Sequence, residues 1–491
     1  MKTTIIIICG ILLLGSTSCS DDFLDVSPDT FVSSSEFYKT EESFTQALNG
    51  AYESLRNIYS NGYVMGEMRS DNTHYIYKQN DRGDQNVEKE DIDGFVDDPL
   101  NTYTEQKYVA CYNGISRTNI ILDRIENADF SDDAKTEIIG ETKFLRAFYY
   151  FELVQYFGGV PLYLHEVTTQ DETALPRASK EDVYAQILED AEDALAKLPE
   201  TQTEKGRVTK GSANTLLGYV YMTLENYLAA ESYLKAVVSS ERYELVPDYA
   251  DIFDPTNKNN EESIFEVQYQ QGNQDQESNW TYQFIPALTN TVVITGVVGN
   301  NGLIGGWNTP TEDLMNSYEE GDLRKEASIA DGYTDEDGNF VSVYFVKKYL
   351  HAHQNYNNTD DDWPVYRYAD VLLLLAECLN EEGEPADALH YLNQVRNRAG
   401  LDDVSTTDQS EMRGVIAHER RVELAFENHR WLDLVRTGMA VEVMNAFGVK
   451  MKQKYKYLLA RTYQVNANKL IFPIPQTEIT LNDQLQQNPG Y

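Results

Sequence analysis

Residues 375–400, LAECLNEEGEPADALHYLNQVRNRAG, decide the fold. Leu375, Ala376 and Leu379 recur at the spacing of one helix face, and Ala388, Leu392 and Val395 recur on a second face that closes at Gly400. Two helices that meet through small residues are the unit of a tetratricopeptide-like hairpin. The same pattern occurs earlier in the chain. Leu217, Gly218 and Tyr221 supply the knobs of a first helix, and Ala230, Leu234 and Val237 face them from a second. From Leu217 to Ala230, as from Leu375 to Ala388, the step is 13 residues.

Two further pairs read the same way: 42–58 with 105–125, and 132–157 with 180–198. Lys180-Glu181-Asp182 places acids in a first turn, where they suit the helix dipole. Each hairpin leaves an apolar face that only a neighbour can cover, so the four are expected to stack into one mainly α, tetratricopeptide-like scaffold of four helix pairs. Two long segments interrupt it. Residues 61–104 are rich in Asp, Asn and Gly, and residues 271–310 are rich in Asn, Gln and Gly but carry Trp280, Tyr282, Phe284 and Trp307. Irregular stretches of this length are usually functional or disordered, and their aromatic content argues for order. Short strands are expected at 263–269 (SIFEVQY) and at 341–349, the second after the turn-like DEDGN at 335–339.

At the N-terminus Lys2 and the apolar block 5–14 (IIIICGILLL) form an export signal, far short of the roughly 18 residues that span a bilayer. Small residues then lead to Cys19 in GSTSCSDDFLDVSP, residues 15–28. This resembles the lipobox of bacterial lipoproteins, with Ser16 where an aliphatic residue is commoner. Cys19 is therefore read as the lipidated residue, since several acyl chains on one cysteine give stable anchoring. Ser20-Asp21-Asp22 resembles the acidic tag that sends such lipoproteins to the outer face of the outer membrane in the Bacteroidetes group.

The 491 residues hold 80 Asp+Glu against 40 Lys+Arg, a formal net charge of -40. A nucleic-acid partner is excluded on that balance, because phosphate binding depends on Lys and Arg releasing counterions. Beside Cys19 the mature chain keeps Cys111 and Cys378, too few for a disulfide framework. Common catalytic constellations fail one by one. His418-Glu419 starts an HExxH pattern whose last position is Val422, and GRVTKGS at 206–212 has Ser212 where a P-loop needs lysine. A Gly-x-Ser-x-Gly elbow is missing, and the acidic turn at 335–338 puts Tyr333 at the first ligand position of a calcium loop. His351 and His353 lack a third metal ligand. Paired carboxylates for glycoside hydrolysis cannot be picked out among 80 acids. The charged helix read over 419–436 places Glu419, Glu423 and Glu427 on one face, with Arg420, Arg421 and Arg430 nearby, an array that ties a helix to its neighbours. No catalytic, metal or cofactor site is expected.

Nine stretches, in order along the mature chain, resemble the SusD/RagB family of outer-membrane nutrient-binding lipoproteins. They are CSDDFLDVSP, GEMRSDN at 66–72, ETKFLRAFYYFELVQYFGGVPL from 141, GRVTKGSANTLLGYVYM from 206, ESIFEVQY from 262, WNTPTEDLMNSYEEGDLRKEASI from 307, RYADVLLLLAECLNEEGEPADALHYLNQVRNRAG from 367, ERRVELAFENHRWLDLVR from 419 and IFPIPQTEITLNDQLQQNPGY at the close. The resemblance implies a four-repeat scaffold with an irregular ligand-binding region and a lipid on an N-terminal arm. It also implies that the chain is not an enzyme but a lid on a SusC-like TonB-dependent transporter, capturing a glycan or, in some branches, peptides. The resulting division is signal 1–18, anchored arm 19–40, scaffold 41–270 with the loop 61–104, loop-rich ligand region 271–350 and a C-terminal helical part 351–491.

A sugar offers one face of C–H groups and a rim of hydroxyls, so an open aromatic plate with a few polar partners recognises it. Trp280 and Trp307, with Tyr282 near them, are the expected plates because they lie in polar loops; Trp363 and Trp431 are read as structural. Tyr75 and Tyr77 are expected to share a strand face, with Asp71 and Asn72 either contacting ligand or holding the loop. Glycan capture leads, peptide capture within the same family is the alternative, and an exported glycoside hydrolase is a third reading.

Overall fold

The computed structural model describes residues 37–273 and 275–491. The signal 1–18, Cys19 and most of the arm lie outside them. Eight helices form the scaffold: α1 (Glu41–Tyr59), α3 (Thr102–Ile125), α4 (Asp132–Phe157), α5 (Lys180–Lys197), α6 (Lys210–Thr223), α7 (Tyr227–Ser239), α8 (Tyr368–Glu381) and α9 (Pro385–Arg398). The short α2 (Asp84–Asp93) lies in the first long loop, and α10 (Gln409–Glu423), α11 (Arg430–Arg436) and α12 (Ala440–Lys454) follow. The helices pack as the four expected pairs, α1 with α3, α4 with α5, α6 with α7 and α8 with α9. Contacts of α3 with α4, α5 with α6 and α7 with α8 join the pairs into one stack, which α10 extends from α8.

The repeat positions explain the pairing. Leu217, Ala230, Leu234 and Val237, and Leu375, Ala376, Leu379, Ala388, Leu392 and Val395, are all buried. Gly218 lets Leu234 approach so closely that a Cβ there would stand 2.6 Å from its Cδ2. Tyr221 departs from its expected role: it is half-buried and stacks at 5.6 Å on Tyr233 of the partner helix instead of entering the core. Thr40 caps α1 with a capping box, while Ser131 and Ser179 cap α4 and α5, satisfying amides that the first helical turn leaves free. Gly383, with φ +84°, makes the turn between α8 and α9.

Helices α3 and α4 touch at Gly114, where a Cβ would fall 2.3 Å from the Tyr149 ring. That ring cannot step aside: it is fully buried and its hydroxyl donates to the Ala51 carbonyl at 2.5 Å. Gly114→Ala gains at most about 1 kcal/mol in helix propensity, against about 1–3 kcal/mol for overpacking. The expected outcome is a lower thermal midpoint; a higher one would show that the helices can separate freely here.

Among the described residues six short strands form three antiparallel ribbons: β1 (Thr73–His74) with β3 (Thr309–Pro310), β2 (Ser263–Val267) with β6 (Trp363–Arg367), and β4 (Ile329–Thr334) with β5 (Phe340–Val346). The β4–β5 turn is DEDGN, closed by Asp335, whose Oδ1 accepts from the Asp337 and Asn339 amides. One hydrophobic core runs from Phe44 to Leu485 and takes in residues of the irregular segments.

The charged stretch 419–436 is not one helix. It breaks after Glu423, with Phe426 and Asn428 both at φ +70°. The buried Glu67 carboxylate holds this bend by accepting from the amides of both residues, at 3.0 and 3.1 Å. The ion pairs expected of the stretch form, with other partners. Glu419 and Glu423 meet Arg324, and Glu423 also meets Arg367 and Arg398. Glu427 meets Arg367 and Lys348. Arg420 turns to Asp370 and Asp433, while Arg421 and Arg430 both reach Asp71.

Candidate functional site: a tyrosine-lined cleft

The first long loop and the 307–316 segment are pinned to α10 and α11 through Asp71. Burial alone would raise its carboxyl, but Arg430 at 2.8 Å and Arg421 at 3.0 Å hold it below the ordinary carboxylate range. Asn72 is fully buried, donating to Glu67 at 2.8 Å and accepting from Arg421 Nε at 2.9 Å. All of this bonding is internal and holds the loop in place. Arg421 also reaches Asp313 at 3.2 Å, which ties the two segments together.

What they frame is a cleft of about 990 Å³. Its walls are His74 at the end of β1 with Tyr75–Tyr77 beyond it, β3 leading into the short helix Glu312–Met315, Ser342–Tyr344 of β5, and the last turns of α12 running into Tyr455 and Tyr457. Tyr77 and Tyr457 stack face to face, 4.1 Å between centroids and 6° from parallel. Arg82 lies over Tyr77 at 5.0 Å and is fixed by a two-pronged ion pair with Glu90. Tyr344 is 37% exposed on the facing wall. The two acids of the lining are neutralised at the rim, Asp313 by Lys450 at 2.6 Å and Glu312 by Lys454 at 2.7 Å. A chain that is strongly acidic overall thus presents a charge-balanced, aromatic cleft here.

Among the expected site residues, Tyr75 and Tyr77 line this cleft, but not from the shared strand face expected of them, because β1 ends at His74 and both lie on the chain beyond it. The tryptophans do not present the open plates expected of them. Trp280 is 0% exposed, boxed edge-to-face by Tyr269 at 4.7 Å and Trp363 at 5.3 Å. It opens a short helix, Trp280–Phe284, that folds the polar loop back onto the core. Trp307 is 1% exposed, with Lys89 Nζ 4.8 Å and Lys78 Nζ 5.3 Å from its ring centroid, so cations take the place a sugar would need. Tyr282 is buried in a small separate cluster with Ile285 and Phe345, its hydroxyl 2.6 Å from His353 Nε2. His351 pairs with Asp361 at 2.5 Å, so both histidines are spent on internal bonds. Among the described residues no group of three or more His, Cys, Asp or Glu side chains is placed to hold a metal ion.

Tyr457, Tyr455 and Tyr344 were not picked out from the sequence. A signal existed: KMKQKYKY at 450–457 alternates lysines with other residues at the end of a helix in a chain that is otherwise acidic, and delivers two tyrosines to one wall.

Two family models match, one described as "SusD family" over residues 328–491, the other as "Starch-binding associating with outer membrane" over residues 22–222. SusD-like protein P25 of Formosa agariphila is 26% identical, covering 100% of both chains, and SusD-like protein P38 of the same organism is 28% identical, covering 98% of this chain and 97% of its own. A solved laminarin binding SusD-like protein superposes with a TM-score of 0.78 at 28% identity, covering 92% of this chain and 100% of that one. Matched by separate models at both ends and by relatives along its whole length, the chain belongs to the SusD/RagB family.

Proposed function

We propose that the chain is a cell-surface glycan-binding lipoprotein, tethered to the outer membrane through Cys19, that captures an oligo- or polysaccharide and passes it to a SusC-like TonB-dependent transporter. The observation that carries this reading is the stacked Tyr77–Tyr457 pair in a roomy cleft with a charge-balanced rim. Tyrosine offers a sugar an apolar face and a hydroxyl in one rigid side chain. The laminarin-binding neighbour and the starch-binding description of the N-terminal match support the substrate class. Binding without turnover fits the cleft chemistry: Glu312 and Asp313 are both engaged by lysines, leaving neither poised as a general acid.

The test is calorimetric titration of the chain begun after Cys19 with laminarin, soluble starch, further polysaccharides and peptides. Tyr77→Ala and Tyr457→Ala are each expected to weaken glycan binding about tenfold or more, the order of 1–2 kcal/mol for an aromatic contact. Binding of peptides alone, or glycan binding indifferent to both substitutions, would overturn the reading. Release of reducing ends would instead favour an exported hydrolase.

A further inference from the structure

His74 stands between the floor of the cleft and a buried acid. Its Nδ1 is 2.9 Å from Asp93 Oδ2 and its Nε2 is 2.8 Å from the Tyr457 hydroxyl. Asp93, the last residue of α2, is fully buried; the same oxygen accepts from the Tyr463 hydroxyl at 2.5 Å, and its Oδ1 has no hydrogen-bond partner. A buried carboxylate with two donors on one oxygen fixes the tautomer of the ring beside it. With a neutral imidazole, Nδ1–H donates to Asp93 and Nε2 can only accept. Tyr457 must then spend its single proton on Nε2, and its hydroxyl can offer only a lone pair to anything in the cleft. When the imidazole is protonated, Nε2–H donates to the Tyr457 oxygen instead. The phenolic proton is released and can point into the cleft.

We infer that His74 is a positioning residue for the ligand site: the proton it carries, relayed through Tyr457, sets whether the cleft wall accepts or donates a hydrogen bond. The inference rests on the glycan-capture reading. Tyr457 and His74 both line the cleft, so the hydroxyl between them belongs to its wall. The other groups that face His74 do not supply the switch. Tyr455 stacks on it at 5.0 Å, Tyr75 lies tilted against it at 4.1 Å, Tyr463 reaches Nδ1 at 3.3 Å, and β3 presents the uncharged Thr309 opposite. Burial, with Asp93 next, pushes the phenols of Tyr75, Tyr457 and Tyr463 well above their ordinary value, so they stay protonated. Farther out, Glu90 is paired with Arg82, and Lys454 lies over the outer ring of Tyr455 at 5.1 Å. Histidine is the side chain that ordinarily changes charge between pH 5 and 8.

Laminarin binding by the chain begun after Cys19 is measured at pH 5 and pH 8, beside Tyr457→Phe, which keeps the ring and removes the hydroxyl. The affinity of the unsubstituted chain is expected to change about threefold or more between the two, the order of one gained or lost hydrogen bond. In Tyr457→Phe that dependence disappears. A pH response of the same size in the phenylalanine variant, or none in the unsubstituted chain, overturns the relay while leaving capture intact. No polysaccharide binding at either pH sinks the capture reading instead. A readout without ligand completes the test: ¹⁵N resonances of His74 should report which ring nitrogens carry a proton at pH 5 and at pH 8, with the Tyr457 ring signals following any change. A His74 that stays in one state throughout also overturns the relay.

Discussion

Glu423→Ala is expected to lower the stability of the folded chain by about 3–5 kcal/mol, the usual cost of breaking a buried ion pair from one side. Glu423 ends α10 with no exposed surface, and its carboxylate accepts from Arg324 at 2.9 Å, Arg367 at 2.5 Å and Arg398 at 2.5 Å. Burial alone would raise the carboxyl; Arg398, Arg367 and Arg324 outweigh it and hold Glu423 far below the ordinary carboxylate range. Three guanidiniums drawn from the short helix Leu323–Ser328, from β6 and from α9 thus converge on one acid. The alanine variant leaves them buried and mutually repelling, with Glu262 and the Val246 carbonyl as the remaining hydrogen-bond partners of Arg398. That loss is a large share of the roughly 5–15 kcal/mol that separates folded from unfolded chains. The sign with pH is also set. A depressed carboxyl stabilises fully above its unfolded value near 4.5 and loses that contribution only as pH falls below it. The deficit of the variant should therefore be constant from pH 6 to 8 and shrink in acid. Urea unfolding followed by tryptophan fluorescence measures it; a midpoint within experimental scatter of the parent would show that the network is dispensable.

The same network marks how far the sequence could be read. Helix pairs were legible because burial imposes a period on the chain itself: the 13-residue step from Leu217 to Ala230 and from Leu375 to Ala388 needs no knowledge of anything else in the molecule. The DEDGN turn was legible for the same local reason. That the acids of 419–427 would be ion-paired was legible from composition, but their partners were not, because Arg324, Arg367 and Arg398 arrive from three other elements. Nor was the break after Glu423 visible, since it is held by Glu67 from the first long loop.

The site was harder still. A tryptophan in a polar loop reads alike whether it faces solvent or caps the core, and the difference for Trp280 lies in Tyr269, Tyr349 and Trp363 closing round it. Tyr77 was within reach of sequence reasoning because it follows the GEMRSDN stretch. Its stacking partner Tyr457 comes from the other end of the chain, and only the fold brings the two rings together. Exposure and pairing at long range are tertiary properties, and a periodicity argument carries neither.

The aromatic box around Lys89 yields the second large effect, with the opposite sign. Lys89 is 6% exposed, and its Nζ donates to two uncharged acceptors, the Tyr63 hydroxyl at 2.7 Å and Gln283 Oε1 at 3.2 Å. The rings of Trp307, Tyr103 and Tyr63 surround it at 4.8, 5.2 and 5.3 Å. Burial, and then the charge of Lys78 across Trp307, pushes the ammonium down to about 7 from an ordinary 10.5. Between those values the unfolded chain holds a proton that the folded chain has given up, so folding stability rises with pH through that window. The full linkage is bounded at about 5 kcal/mol, and the ring faces, which favour a cation, reduce it to about 2–3 kcal/mol. Lys89→Met removes the buried charge yet leaves Tyr63 donating to Gln283 at 2.6 Å, so no polar group is orphaned. The methionine variant is expected to be about 2–3 kcal/mol more stable than the parent at pH 7 and below, an advantage that fades as pH approaches 10. Thermal midpoints of both chains across pH 6 to 10 decide the matter. A variant that is less stable at pH 7, or a gap that does not change with pH, would mean that the aromatic box holds Lys89 as a charged anchor.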